Sequence, residues 1–208
     1  MKEAESTVFV VDDDPSVRAS LGRLFKSVGL AVEAFASGRE FLERGPAEGP
    51  ACLVLDVRMP ELSGLDLQEE LSRSGVAIPV VFITGHGSVS ASVRAMKAGA
   101  ADFLEKPVDE QQLLDVVYYA LEKDRRARRE RDEIAELRGS LASLTPRERE
   151  VLGHVVAGRP NKQIAAELGT SEKTVKVHRA RVMEKMKVAS LAELARLAEK
   201  LHLSRPEV

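Results

Sequence analysis

The sequence predicts an α/β half, built on a five-stranded parallel doubly wound sheet, joined by a helical linker to a small all-α unit of four helices. Three observations predict it. Five short apolar runs alternate with helix-period patterns as far as Leu121, and strands that alternate with helices through short connections form a parallel sheet covered on both faces. Beyond Glu122 every pattern is helical. The charge also changes sign: residues 1–123 carry 12 Lys/Arg against 20 Asp/Glu, and residues 124–208 carry 19 against 13. An acidic module followed by one suited to a polyanion is the simplest reading of that asymmetry.

The first strand is Thr7-Val8-Phe9-Val10-Val11, stopped by Asp12-Asp13-Asp14. Asp14-Pro15 is a helix N-cap with proline at the first helical position. Val17, Leu21, Leu24, Phe25 and Val28 then keep helical spacing up to Gly29. Leu30 to Phe35 reads as the second strand, and Ser37-Gly38-Arg39-Glu40 as a capping box. Cys52 to Leu55 is apolar throughout and ends in Asp56, as expected of a strand buried on both faces. Ser63-Gly64 opens the next helix. Pro79 to Thr84 is the fourth strand, and Ser88 is placed to cap a helix through Val89, Val93 and Met96. Asp102 to Glu105 is a short fifth strand closed by Lys106-Pro107. Asp109, with Gln112 three residues on, caps a long helix.

Right-handed crossovers put the carboxyl ends of all five strands on one edge. Asp12 and Asp13, Asp56, Thr84 and Lys106 stand at four of those ends. Crowded carboxylates favour a bound cation, and hard oxygen ligands without Cys or clustered His suit Mg²⁺. A carboxylate beside Mg²⁺, with a hydroxyl and an ammonium in reach, is arranged to accept a phosphoryl group.

The composition carries no apolar run long enough to span a bilayer, and Met1 to Glu5 is acidic, without the apolar stretch of a signal peptide. Cys52 is the only cysteine, which excludes an intrachain disulfide or a Cys-based zinc site. A cytoplasmic protein without membrane contact is the expectation. No separate acid/base constellation suggests an enzyme acting on a diffusible substrate.

Residues 6–122 resemble the receiver domain of bacterial two-component response regulators, which has a flavodoxin-like fold. The resemblance rests on Val10-Val11-Asp12-Asp13-Asp14, Asp56-Val57-Arg58-Met59-Pro60, Ile83-Thr84-Gly85-His86-Gly87 and Phe103-Leu104-Glu105-Lys106-Pro107. Arg94 to Ala100 looks like the NarL/FixJ type, although Ser88-Val89-Ser90 replaces that subgroup's usual Asp-Val-Pro. The resemblance implies that Asp56 is the phosphoacceptor. Asp13, Asp56 and the Arg58 backbone carbonyl would bind Mg²⁺, with Asp12 assisting. Thr84 and Lys106 would bind the phosphoryl group, Phe103 would be the aromatic switch, and a sensor histidine kinase would be the donor.

Glu122 to Leu144 is charged, and Ile134, Leu137, Leu141 and Leu144 repeat at 3-4-3 spacing. This predicts a linker helix that either pairs in a dimer or is simply solvated along its arginine-rich length.

Thr145-Pro146-Arg147-Glu148 is another capping box. A helix to Val156, a second from Asn161 to Leu168, the Gly169-Thr170 turn and a basic helix capped by Ser171 have helix-turn-helix spacing. On a helical wheel Val175, Val182 and Met186 share the inward face, with Met183 at its margin. Lys173, Val177 and Ala180 point outward, flanked by Thr174, Lys176 and Arg181. Such a face can enter a major groove, its cations meeting phosphates. Lys162 and His178 are expected to assist at the flanks, and Arg179, near the inward face, to reach the DNA backbone rather than bases. Ser190-Leu191-Ala192-Glu193 opens a last helix.

Thr145 to Leu201 is similar to the LuxR-type DNA-binding domain, on the strength of Gly158 to Ala165 and Thr174 to His178. That resemblance places Lys176, Val177 and Ala180 near bases. It makes the last helix, with Leu191, Leu194, Ala195, Ala198 and Leu201, a dimerisation helix. The expected division is 1–123 receiver, 124–142 linker and 143–208 helix-turn-helix. The expected function is phosphorylation-controlled homodimerisation on promoter DNA, with RNA polymerase a further partner. A DNA-binding regulator controlled by protein contacts alone is the alternative.

Overall fold

β3 (Ala51–Asp56) is buried at every position and lies at the centre of a five-stranded parallel sheet. The computed structural model describes residues 5–85 and 89–201. β1 (Thr7–Val11) lies on one side of β3, with β2 (Ala31–Phe35) beyond it. β4 (Val80–Thr84) and β5 (Asp102–Glu105) lie on the other side, giving the order β2-β1-β3-β4-β5. Because successive side chains face opposite sides, the apolar runs feed two cores. Phe9, Val11, Leu53, Leu55 and Phe82 pack under α2 (Gly38–Glu43), α3 (Gly64–Arg73) and α4 (Val89–Lys97). Val8, Val10, Cys52, Val54, Val81 and Ile83 pack under α1 (Pro15–Ser27) and α5 (Glu110–Ala142). This explains why β3 is apolar at every position before Asp56.

The helix starts follow the capping logic. Asp14, Ser37 and Ser63 each accept a first-turn backbone N–H with the side chain. Gln112 N donates to Asp109 Oδ1 at 2.8 Å. The expected cap Ser88 lies outside the described residues. The linker is helical, as expected, and continuous with the last receiver helix in the single element α5. The chain divides into two compact units, 1–128 and 129–208, a division inside the stretch that the sequence sets apart as linker.

The second unit holds α6 (Pro146–Val156), α7 (Asn161–Glu167), α8 (Glu172–Lys185) and α9 (Leu191–Lys200). Its core unites Leu144, Val151, Leu152, Ile164, Val175, Val182, Met186 and Leu194. The capping box at Thr145 forms in both directions. Its Glu148 is nearly inaccessible and also accepts from Lys185 Nζ at 2.6 Å, tying α6 to the end of α8. That ion pair, and after it the Thr145 backbone N–H, hold the Glu148 carboxyl at about 2 against an ordinary 4.5.

A depressed carboxylate contributes stability that is full above its unfolded pKa and is lost as pH falls through the folded one. The window here runs from about 4.5 down to about 2. Glu148→Gln is therefore expected to lower the melting temperature of the second unit at neutral pH and to flatten its pH dependence through that window. Calorimetric scans across the window check this.

Among the described non-glycine residues two have positive φ: Lys187 (54°), just past α8, and Glu61 (64°), in the loop after β3. The left-handed region costs a side-chain-bearing residue about 1–2 kcal/mol, against roughly 0.5–1 kcal/mol for glycine's extra chain entropy. The Arg39–Glu61 ion pair is too exposed to change the sign. Glu61→Gly is therefore expected to stabilise the first unit by about 0.5 kcal/mol, read as a shifted denaturation midpoint.

Candidate functional site

The strand order reverses beside β1, and in open α/β sheets ligands bind at the carboxyl ends flanking such a switch point. β1 and β3 run parallel, with Val11 level with Leu55. The residues that follow them in sequence, Asp12 and Asp56, therefore face one crevice. Oxygens of Asp12, Asp13 and Asp56 all lie within 4.8 Å of one another. Asp12 and Asp56 are buried and Asp13 is exposed, so the cluster is open to solvent from one side.

Lys106 reaches in from the end of β5. Its Nζ donates to Asp12 Oδ2 at 2.7 Å and stands 3.7 Å from Asp56 Oδ1, too far for a hydrogen bond. Its backbone N–H donates to Thr84 O at 2.8 Å, which joins the ends of β4 and β5. The Lys106–Pro107 peptide is cis. Asp12 is further held by the Asp14 N–H on Oδ1 at 2.8 Å and by Arg18 Nη1 on its carbonyl at 2.6 Å.

Asp56 Oδ1 is buried and has no hydrogen-bond partner. Burial pushes the Asp56 carboxyl above the ordinary carboxylate range. Lys106 pulls it down, while the charges of Asp12 and Asp13 push it up. An orphaned carboxylate oxygen among three acidic groups suits a hard divalent cation, and this donor set fits Mg²⁺. Arg58 is exposed. Thr84 is buried at the end of β4. Phe103 is half-buried on β5, its ring centroid 6.0 Å from that of Phe82.

Gly64 carries no side chain that would mark it in the sequence as part of the site. It is the first residue of α3, and a Cβ placed there would sit 2.1 Å from the Asp56 carbonyl oxygen. Its N–H donates to Val57 O at 3.0 Å. The helix start thus presses against the backbone that presents Asp56. A capping serine followed by glycine at this distance beyond a strand-end carboxylate was the available signal.

In the second unit, Lys173, Lys176, Val177, Ala180 and Arg181 on α8 are exposed, as is Lys162 on α7, while Val175, Val182 and Met186 are buried. Thr174 is half-buried and its N–H is capped by Ser171 Oγ at 3.1 Å. His178 is half-buried, with Nδ1 enclosed and unpartnered. Arg179 Nη1 donates to Asn161 Oδ1 at 2.6 Å, linking α8 to the start of α7. Leu194 and Ala198 are buried in the unit's own core, and Leu201 packs partly against it; Leu191 and Ala195 are exposed. The apolar stripe of α9 is thus largely consumed within the domain, because it must cover α6.

Comparison with known proteins follows the same division. Residues 8–118 match the response regulator receiver domain, and residues 142–198 match the bacterial regulatory proteins of the luxR family. The chain belongs to the two-component response regulators. Nodulation protein W of Bradyrhizobium diazoefficiens is 52% identical over 200 residues, covering 96% of this chain and 88% of that one. Transcriptional regulatory protein FixJ of Azorhizobium caulinodans is 48% identical over 191 residues, covering 92% and 90%. The solved response regulator StyR superposes with a TM-score of 0.89 at 50% identity, covering 95% of this chain and all of that one.

As a response regulator of the NarL/FixJ type the chain carries a receiver, which implies a kinase partner, and a LuxR-type helix-turn-helix, which implies DNA binding. The family comprises transcription regulators, not enzymes. No described helix is long and apolar enough to cross a membrane.

Proposed function

We propose that Asp56 accepts a phosphoryl group from a sensor histidine kinase and that this modification controls homodimerisation and sequence-specific binding to promoter DNA. The single observation that carries the reading is the meeting of Asp12, Asp13, Asp56 and Lys106 at the switch point of the sheet. An oxygen of Asp56 forms the new bond to phosphorus as the bond to the kinase's phosphorylated imidazole breaks, and the imidazole nitrogen keeps the electron pair. Lys106 leaves Asp12 for the incoming phosphoryl oxygens, and the Thr84 hydroxyl donates to them. Asp13, Asp56 and the Arg58 carbonyl would hold Mg²⁺, with Asp12 assisting; the ion supplies charge neutralisation among the carboxylates and phosphoryl oxygens.

Thr84 moving inward opens space beside Phe103, whose half-buried ring can fill it. The surface around β5 and α4 then changes as a two-state element. On the output side Lys173, Lys176, Val177 and Arg181 face the major groove with Ala180. Lys162, Thr174, His178 and Arg179 meet the backbone, and Arg179 also braces the two helices through Asn161. Two copies place their α8 helices about one DNA turn, roughly 34 Å, apart. In α9 the exposed Leu191 and Ala195 carry the pairing, and Leu194, Ala198 and Leu201 support it from within. The working division is 1–123 receiver, 124–142 linker and 143–208 DNA-binding domain, in a cytoplasmic protein with RNA polymerase as a further partner. Incorporation of labelled phosphate from a small-molecule phosphodonor with Mg²⁺, absent in Asp56→Asn, tests the reading. Equal labelling of the variant contradicts it.

A further inference from the structure

Asp124 is charged, yet it is only 2% exposed. Its position follows from the sheet. Leu53 N donates to Pro79 O at 2.9 Å on the β4 side, and N–H groups two residues apart in a strand point the same way. Ala51 N therefore also points toward β4. But β4 begins at Val80, level with Leu53, so the neighbouring strand stops short of Ala51. Asp124 Oδ2 stands where that strand's carbonyl would be and accepts from Ala51 N at 2.9 Å.

One turn on, Arg128 Nε donates to the same Oδ2 at 2.6 Å, and its Nη1 donates to Ala47 O at 3.1 Å. Arg125 Nη2 donates to Ser6 Oγ at 3.0 Å. Three residues of α5 are thus tied to segments 73 to 119 positions away in the chain. These ties sit at the amino edge of the sheet, opposite the carboxylate cluster, at the point where α5 runs on past residue 128.

We propose that Asp124 and Arg128 form an anchor through which phosphorylation at Asp56 reaches the linker. They fasten α5, as it leaves the receiver, to the first residue of the strand whose last residue is Asp56. The physical need is plain. Past residue 128 the contacts of α5, such as Glu133 with Lys200 and Leu141 with the second core, are made within the second unit. Its hold on the receiver therefore rests on ties of this kind, and a helix loosened where it leaves one body absorbs a displacement instead of passing it on. The charged pair suits the task because a buried carboxylate holds its partners strongly and tolerates no half-made alternative.

This inference rests on the proposed function, and its test separates the two. In the full chain, Asp124→Asn with Arg128→Gln removes both charges of the pair together. Labelling of Asp56 by phosphodonor is expected within about twofold of the parent, amide exchange over residues 125–142 about tenfold faster, and the phosphorylation-dependent gain in DNA affinity reduced to roughly a third or less. A purely structural pair would lower the melting temperature and leave the gain intact. Either an unchanged exchange pattern or an unchanged gain overturns the anchor. A parent chain that labels at Asp56 yet shows no gain overturns the functional reading itself, before any variant is compared.

Discussion

Gly64→Ala is expected to abolish phosphorylation of Asp56 and to destabilise the receiver by about 3 kcal/mol. The added methyl would sit 2.1 Å from the Asp56 carbonyl oxygen and 3.0 Å from its carbonyl carbon and from Leu55 Cγ. Most of the obstacle is backbone, so no rotamer change relieves it. Either α3 moves off the sheet, breaking the Gly64 N–H bond to Val57 O, or the end of β3 bends and carries Asp56 away from Lys106. Both routes disturb the crevice, and overpacking of a closed core is at the upper end of its usual 1–3 kcal/mol when neither side yields. Denaturant titration and phosphate labelling check the two halves of the prediction. Wild-type stability together with wild-type labelling would show that the close approach does not exist.

Lys106→Met has the second largest expected effect, and it depends on the ion present. Lys106 is the ammonium on Asp12 Oδ2, and Asp12 is 1% exposed. Breaking a buried pair by removing one partner costs about 3–5 kcal/mol, because the other charge is left uncompensated. The Asp14 N–H and the carbonyl-bound Arg18 hold the backbone in place, so the loss is electrostatic rather than a collapse of the loop. With chelator the variant is expected to be destabilised by about 3 kcal/mol, and Mg²⁺ is expected to recover much of that by supplying the missing positive charge. Labelling of Asp56 should stay low even with Mg²⁺, since the ammonium that meets the phosphoryl oxygens is gone. Melting curves with and without Mg²⁺ decide it; an equal loss in both contradicts a shared cation site.

The parts of this molecule legible in the sequence are those in which a local signal has one structural meaning. An all-apolar run of strand length ending in Asp56 reads as a strand covered on both faces, and β3 is buried throughout. Thr145 with Glu148 closes its capping bonds in both directions, whereas Ser37 and Ser190 accept from Glu40 N and Glu193 N while those glutamates reach one residue further back, to the N–H of Ala36 and Ala189. The strand-end residues also converge, because parallel topology leaves them one edge. Less legible was whatever depends on how far one element reaches past another. Asp124 lies in a run of charges that reads as solvated; it is buried because β4 starts two residues late relative to β3, an offset that no local pattern encodes. The stripe on α9 reads the same whether it meets its own core or a second copy; Leu194 joins its own core and Ala198 is buried too. Leu141 and Leu144, half of the linker seam, likewise pack with the second unit's core.

In the proposed function a charge placed on Asp56 is read out as paired recognition helices on DNA. Footprinting the full chain on promoter DNA, with and without phosphodonor and Mg²⁺, tests it most directly. Phosphodonor is expected to bring protection of two half-sites about one helical turn apart, and Asp56→Asn to give the unphosphorylated pattern under both conditions. Identical footprints for the parent with and without phosphodonor, or a phosphodonor response retained by Asp56→Asn, would contradict it.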